Sequence, residues 1–157
     1  MPSLPLIGRR GAPVAWKGIS VSGVKALWSD FQGGVCLGGR GTDNGTVVLD
    51  KECSLGARVT LEEGGLHPWT VTCGVGGALF VHGMRASSRA EAESMARAAM
   101  EDIGDFLERM ESDEVSQADA IRFAGIWTEA FTNKYDSSSG SWERPPLRGM
   151  FPRFFRR

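Results

Sequence analysis

The stretch that decides the fold is ARVTLEEGGLHPWTVTCGVGGALFVHGMRASSRAEAESMARAAMEDIGDFLERM, residues 57–110. Its first half alternates apolar and polar side chains, as at Val59, Thr60 and Leu61, with the period of a strand that buries one face. Glycine pairs at 64–65 and 76–77 interrupt the alternation. The pattern therefore predicts three strands joined by turns, and it favours a two-residue hairpin turn at 76–77.

The second half of this stretch predicts a long amphipathic helix. Ser88 is followed three residues later by Glu91, which is the spacing of a capping box, and the apolar period then changes from 2 to about 3.6. Gly104 lies inside this helix at a cost of roughly 1 kcal/mol relative to alanine. It indicates either local frustration or a close approach to the sheet. The apolar stripe of the helix consists of Met95, Ala99, Ile103, Phe106, Leu107 and Met110.

Elements on both sides of this stretch complete the predicted fold. Short apolar runs at 19–27, 35–37 and 46–49, separated by glycine-rich segments, predict further strands of a meander. Ser116 and Asp119 mark the start of a second helix. Its expected buried residues are Ile121, Ala124, Trp127, Ala130 and Phe131, with Phe123 and Ile126 at the sides. We expect an α+β fold, a mostly antiparallel sheet of five or six strands followed by two helices on one face.

Length and composition indicate one soluble globular domain. The chain has 157 residues, of which 41% are hydrophobic and 24% charged. We divide it into an N-terminal extended basic segment (1–17), a single α+β domain (18–135), and a Ser/Gly joint with a basic aromatic C-terminal arm (136–157). No apolar run approaches the roughly 20 residues that span a bilayer. Because three scattered cysteines do not indicate a disulfide framework, we expect a cytoplasmic protein.

Charge is segregated along the chain, although the net charge is only −1. Residues 1–40 carry five basic and one acidic side chain, whereas residues 86–119 carry three basic and ten acidic ones. Residues 141–157 carry five arginines and one glutamate. The sequence thus places basic ends around an acidic helical layer.

The C-terminal arm, residues 141–157, gives the strongest functional indication. Pro145, Pro146 and Pro152 exclude a regular helix and favour extended backbone. Aromatic and arginine side chains alternate along it, and such residues carry much of the binding energy at protein interfaces. The arm either folds over its own domain or inserts into another subunit; an anionic membrane surface or nucleic acid is a further alternative. Its candidate partner-binding residues are Trp142, Arg144, Arg148, Phe151, Arg153, Phe154, Phe155, Arg156 and Arg157.

The acidic face of the first helix is an alternative partner surface. Its carboxylates, Glu93, Glu101, Asp105 and Glu108, form either a solvated helix face or a docking surface for a basic partner. The second possibility corresponds to an immunity-type inhibitor of a basic toxin.

Catalytic and ligand-binding patterns are weak. Cys73 and His82 fall on adjacent predicted strands, where a two-residue turn would pair Cys73 with Phe80 and leave His82 diagonal to the thiol, which favours structural roles. The glycine-rich run at 38–45 lacks the lysine of a phosphate loop and favours a hairpin. The adjacent acidic pairs at 62–63 and 101–102 indicate solubilising charge.

The sequence therefore predicts a non-enzymatic interaction protein, without cofactor or metal, that is a small subunit or accessory component of a larger assembly. Its partner is another protein or a second copy of the chain. The alternatives are the immunity-type inhibitor, a nucleic-acid-binding protein and a cysteine-dependent enzyme.

Overall fold

A single antiparallel sheet forms the centre of the molecule. The computed structural model describes residues 23–76, 80–111 and 115–136. Five strands follow one another in chain order and each pairs with the next: β1 (Trp28–Asp30), β2 (Thr46–Cys53), β3 (Ala57–Glu63), β4 (Trp69–Val75) and β5 (Phe80–Ala86). The predicted fold class is confirmed.

Two helices follow the sheet, α1 (Arg89–Met110) and α2 (Gln117–Asp136). At the start of α1 the Ser88 hydroxyl accepts a hydrogen bond from the Glu91 backbone N–H at 3.2 Å, as the capping box predicts. The Glu91 carboxylate accepts from the backbone N–H and hydroxyl of Ser87, and these bonds lower the pKa of Glu91, the hydroxyl bond most. At the start of α2 the Ser116 hydroxyl accepts from the Asp119 N–H. Both predicted helix starts are confirmed.

The two faces of the sheet differ in what covers them. On one face, here called the helix face, α1 packs across β3 and β4, and α2 packs beside it on β5. The apolar stripe predicted for α1 lies on this face, where all its residues but the half-buried Met110 are buried. The opposite face, here called the open face, carries the intervening residues of the strands, such as Arg58, Thr60 and Glu62. Alternation along each strand thus separates an apolar core from a polar surface.

Three details of the predicted strands and turns differ in the structure. Val75 pairs with Phe80 and Cys73 with His82, so the β4–β5 connection comprises residues 76–79 and is longer than the predicted two-residue turn. Residues 35–37 form a turn. In the described part of the chain β1 comprises Trp28–Asp30, which pair with β2; residues 23–27 of the predicted run precede this strand, and residues 19–22 lie outside the described residues.

The buried side of α2 also differs from the prediction. Ile121 and Ile126, expected on it, are 69% and 39% exposed. Trp127 and Phe131 are buried as predicted and Phe123 is buried beside them, and Trp127 stacks on Phe106 of α1 with ring centroids 4.2 Å apart. Aromatic packing against α1 and β5 therefore sets the rotation of α2 about its axis.

Gly104 permits α1 to lie close to the residues that lead into β1, rather than to the core of the sheet. A Cβ built on Gly104 would lie 3.1 Å from the Ala26 Cβ and 3.6 Å from Trp28 Nε1. The residues leading into β1 therefore pass over α1 where that helix has no side chain. Lys25 Nζ lies 3.3 Å from Glu108 of the same helix.

Several predictions lie outside the described residues. These are the N-terminal basic segment (1–17), nearly all of the joint and the whole C-terminal arm. Within the described ranges, neither α1 nor α2 combines the length and apolar character that crossing a membrane requires.

Candidate functional site

A groove on the open face is the candidate functional site. Residues 31–45, here called the crossing segment, leave β1 and run over the open face before entering β2. Between this segment and the open side of β3, β4 and β5 lies a groove of about 710 Å³. Phe31, Cys36 and Arg40 of the crossing segment form part of its wall. This volume is within the range of pockets that bind small ligands or anchor side chains of a partner.

An ion pair holds the wall of the groove. Asp50 on β2 is completely buried, and its two carboxylate oxygens accept hydrogen bonds from Nε and Nη2 of Arg58 at 2.8 and 2.7 Å. The pKa of Arg58 is raised, mainly by its side-chain hydrogen bond to Asp50. The same guanidinium lies 3.6 Å from the centroid of the Phe31 ring, and its Nη2 donates to Cys36 Sγ at 3.6 Å. Arg58 therefore joins β2, β3 and the crossing segment.

A second buried carboxylate holds the other end of the crossing segment. Glu62 on β3 is 2% exposed and accepts hydrogen bonds from the backbone N–H groups of Thr42, Asp43 and Gly45 at 2.8, 2.9 and 3.2 Å. A Cβ at Gly41 would overlap this carboxylate, so the position requires glycine. The prediction that Glu62 provides solubilising charge is wrong. The glycine-rich run does bind an anion, and that anion is part of the chain itself.

The floor of the groove consists of short side chains. Thr60 and Thr72 pair across β3 and β4, and Gly74 pairs with Val81 across β4 and β5. All four line the groove, and Val81 is 62% exposed. A partner group can therefore approach the backbone of these strands closely.

The carboxylates of the predicted alternative partner face are partly engaged by the chain. Glu93 pairs with Arg89 at 2.8 Å, and Glu108 accepts a hydrogen bond from the Ala26 backbone N–H at 2.9 Å. Glu101 is exposed and Asp105 is half-buried. Both line a depression of about 190 Å³ beside Trp28. The structure thus brings Glu101, Asp105 and Glu108 together at this depression, while Glu93 lies nearer the start of α1.

The candidate nucleophile Cys73 lies in the core. It pairs directly with His82, closer than the predicted diagonal position, but the thiol is completely buried and this burial raises its pKa. The His82 ring packs edge-on against Phe131 at 6.1 Å. Its Nε2 lies 3.2 Å from Asp136 Oδ1, although the two are not aligned as a hydrogen bond. A reactive thiolate requires the opposite environment, partial exposure next to positive charge.

A third buried carboxylate links the two helices. Asp102 on α1 accepts from Lys134 Nζ at 2.6 Å and from the Tyr135 hydroxyl at 2.8 Å. Burial, followed by the charge of Asp102, raises the pKa of Tyr135. The prediction that Asp102 provides surface charge is wrong. No group of three or more potential metal-ligating side chains occurs among the described residues.

Sequence reasoning missed this groove and the three buried carboxylates. For two of them the sequence did contain a signal. Asp50 and Glu62 lie within central strands, and a carboxylate that becomes buried there needs a hydrogen-bonding or charged partner. The candidate partner-binding residues of the C-terminal arm all lie outside the described residues. No protein-family model, no curated protein and no solved structure matches the chain.

Proposed function

We propose that this protein is a non-enzymatic interaction component, a small subunit or accessory component of a larger assembly, that contacts its partner through the C-terminal arm. The observation that carries the proposal is the composition of the arm, residues 141–157, in which five arginines stand among one tryptophan and three phenylalanines. Asp50, Glu62 and Asp102 each bind another part of this chain and so stabilise a preformed surface. A preformed surface lowers the ordering cost of association, which suits a binding protein.

The composition of the arm supports its role as the contact. Arginine and aromatic residues are the types that contribute most when an interface is buried, and the arm alternates them over a short length. Its prolines favour an extended backbone, so less conformational entropy is lost when it binds.

The arm is favoured over the acidic face of α1 as the partner surface. Glu93 and Glu108 already bind Arg89 and residues 25–26, and a basic partner would have to replace these contacts. An immunity-type inhibitor needs its carboxylates available to the toxin.

Capture of partners from the native source tests the proposal. The full chain carrying Phe151→Ser, Phe154→Ser and Phe155→Ser should retain at least tenfold less of any stoichiometric partner than the unchanged chain. The matched control is Ile121→Ser with Ile126→Ser, which removes exposed apolar side chains from α2 instead. The proposal is overturned if the arm variant keeps its partner. Loss of the partner only with Glu101→Lys and Asp105→Lys would instead establish the acidic face as the contact.

A further inference from the structure

The described part of the chain ends one strand away from the groove. Helix α2 ends at Asp136, whose carboxylate lies 3.2 Å from His82 Nε2 on the helix face of β5. The preceding residue of that strand, Val81, projects from the open face and lines the groove. Strand β5 is the last strand of the sheet in the described residues. Among the described residues, this edge strand alone separates the start of the joint from the groove.

The joint is long enough to pass around this strand. An extended chain advances at most about 3.6 Å per residue, so residues 137–140 can span about 14 Å. Neighbouring strands lie only about 4.8 Å apart. The residues that follow Gly140 in the sequence, beginning with Ser141 and Trp142, can thus reach the groove of the same molecule.

The groove has the chemistry that the arm requires. Its apolar lining includes Phe31, Val47 and Val81, which offer contact surface to phenylalanine. Its lining carries the carboxylates of Glu52 and Glu62 together with the guanidinium groups of Arg40 and Arg58, and Arg58 is paired with the fully buried Asp50. The arm brings five arginines and one glutamate. Glu52 is a lining carboxylate that an arginine of the arm can pair with.

We propose that the groove on the open face is a binding site for basic aromatic peptide segments and that the C-terminal arm of the same chain occupies it in the free protein. This inference rests on the proposed function, because a partner then has to draw the arm out of the groove. Tethering supports the intramolecular site, since a short linker gives an effective concentration on the order of millimolar.

Limited trypsin digestion of the full chain tests the site. The bond after Arg148 lies in the arm, and a bound arm protects it. Val81→Lys places a like charge at the groove and should raise the rate of cleavage there at least tenfold. The matched control is Ile121→Lys, which introduces the same charge at a comparably exposed aliphatic position of α2 and should leave the rate unchanged. Thermal denaturation of both variants shows whether each is folded.

A second variant acts from the side of the arm. Phe154→Ser leaves every described residue unchanged and should also raise the cleavage rate. The inference is overturned if neither variant changes the rate, or if Ile121→Lys changes it as much as Val81→Lys. It is also overturned if protection rises with protein concentration and the molecular mass doubles, since the arm then binds a second copy.

The two proposals fail in different ways. If the arm occupies the groove and also contacts a partner, Val81→Lys should increase partner capture, because it frees the arm. If the arm contacts no partner, capture is absent in every variant while the protease result persists.

Discussion

Replacing Lys134 by methionine removes the positive half of the buried ion pair between α1 and α2. Lys134 Nζ lies 2.6 Å from Asp102 Oδ2, and the two side chains are 5% and 1% exposed. Methionine retains much of the apolar stem of lysine but removes the ammonium group. The Tyr135 hydroxyl, which is neutral, still donates a hydrogen bond to the Asp102 carboxylate. A buried charge that loses its counter-charge is strongly destabilising.

The expected loss is large compared with the stability of a small domain. Breaking a buried pair from one side costs about 3–5 kcal/mol. Because Tyr135 still donates to Asp102, we expect Lys134→Met to lower the unfolding free energy by about 3 kcal/mol, the lower end of this range. For a chain of this size each kcal/mol corresponds to about 3 °C in Tm, so Tm should fall by about 9 °C.

Urea denaturation monitored by circular dichroism measures this loss. The control is the double variant Asp102→Leu with Lys134→Met, which replaces the pair by apolar side chains. It should recover most of the lost unfolding free energy, since no buried charge remains. The reasoning is refuted if Lys134→Met lies within 1 kcal/mol of the unchanged protein, or if the double variant is less stable than the single one.

Three further predictions concern the other buried groups. Glu62→Gln should lower the unfolding free energy by about 2 kcal/mol, because a neutral amide replaces a carboxylate that accepts three backbone hydrogen bonds; urea denaturation checks this. Burial keeps the Cys73 thiol protonated in the folded chain, whereas in the unfolded chain it loses its proton near pH 8.5. Above that pH the unfolding free energy should therefore fall by up to about 1.4 kcal/mol per pH unit. Cys73→Ala should flatten this dependence between pH 8.5 and 10, and an unchanged slope would contradict the assignment. In thiol titration of the native protein, Cys36 should react with Ellman's reagent while the buried Cys53 and Cys73 react only in denaturant; equal reactivity of all three would contradict the described burial.

Local signals predicted much of the fold because they depend on neighbours in sequence. Alternation gave β3 and β4, and the bonds at Ser88 and Ser116 confirmed both helix starts. The turn between β4 and β5 was predicted wrongly because Gly76 and Gly77 permit a two-residue turn without requiring it. The pairing of Val75 with Phe80 is set by the whole β4–β5 register.

The candidate site was less predictable because its residues are brought together by contacts between distant parts of the chain. The spacing along the sequence between Asp50 and Arg58, or between Thr42 and Glu62, shows no chemical motif. Asp50 and Arg58 meet because β2 pairs with β3, and Thr42 meets Glu62 because the crossing segment lies over the open face. In each of the acidic pairs 62–63 and 101–102 one residue is buried and the other is exposed. Adjacent side chains point to opposite faces of a strand, and on a helix their directions are about 100° apart.

The turn at residues 41–45 carries its own counter-ion. In other proteins the backbone N–H groups of such a turn bind a phosphate, whereas here they donate hydrogen bonds to the side chain of Glu62. Shortening that side chain to alanine would leave these amide hydrogens without their acceptor, so the conformation of a turn before β2 depends on one residue of β3.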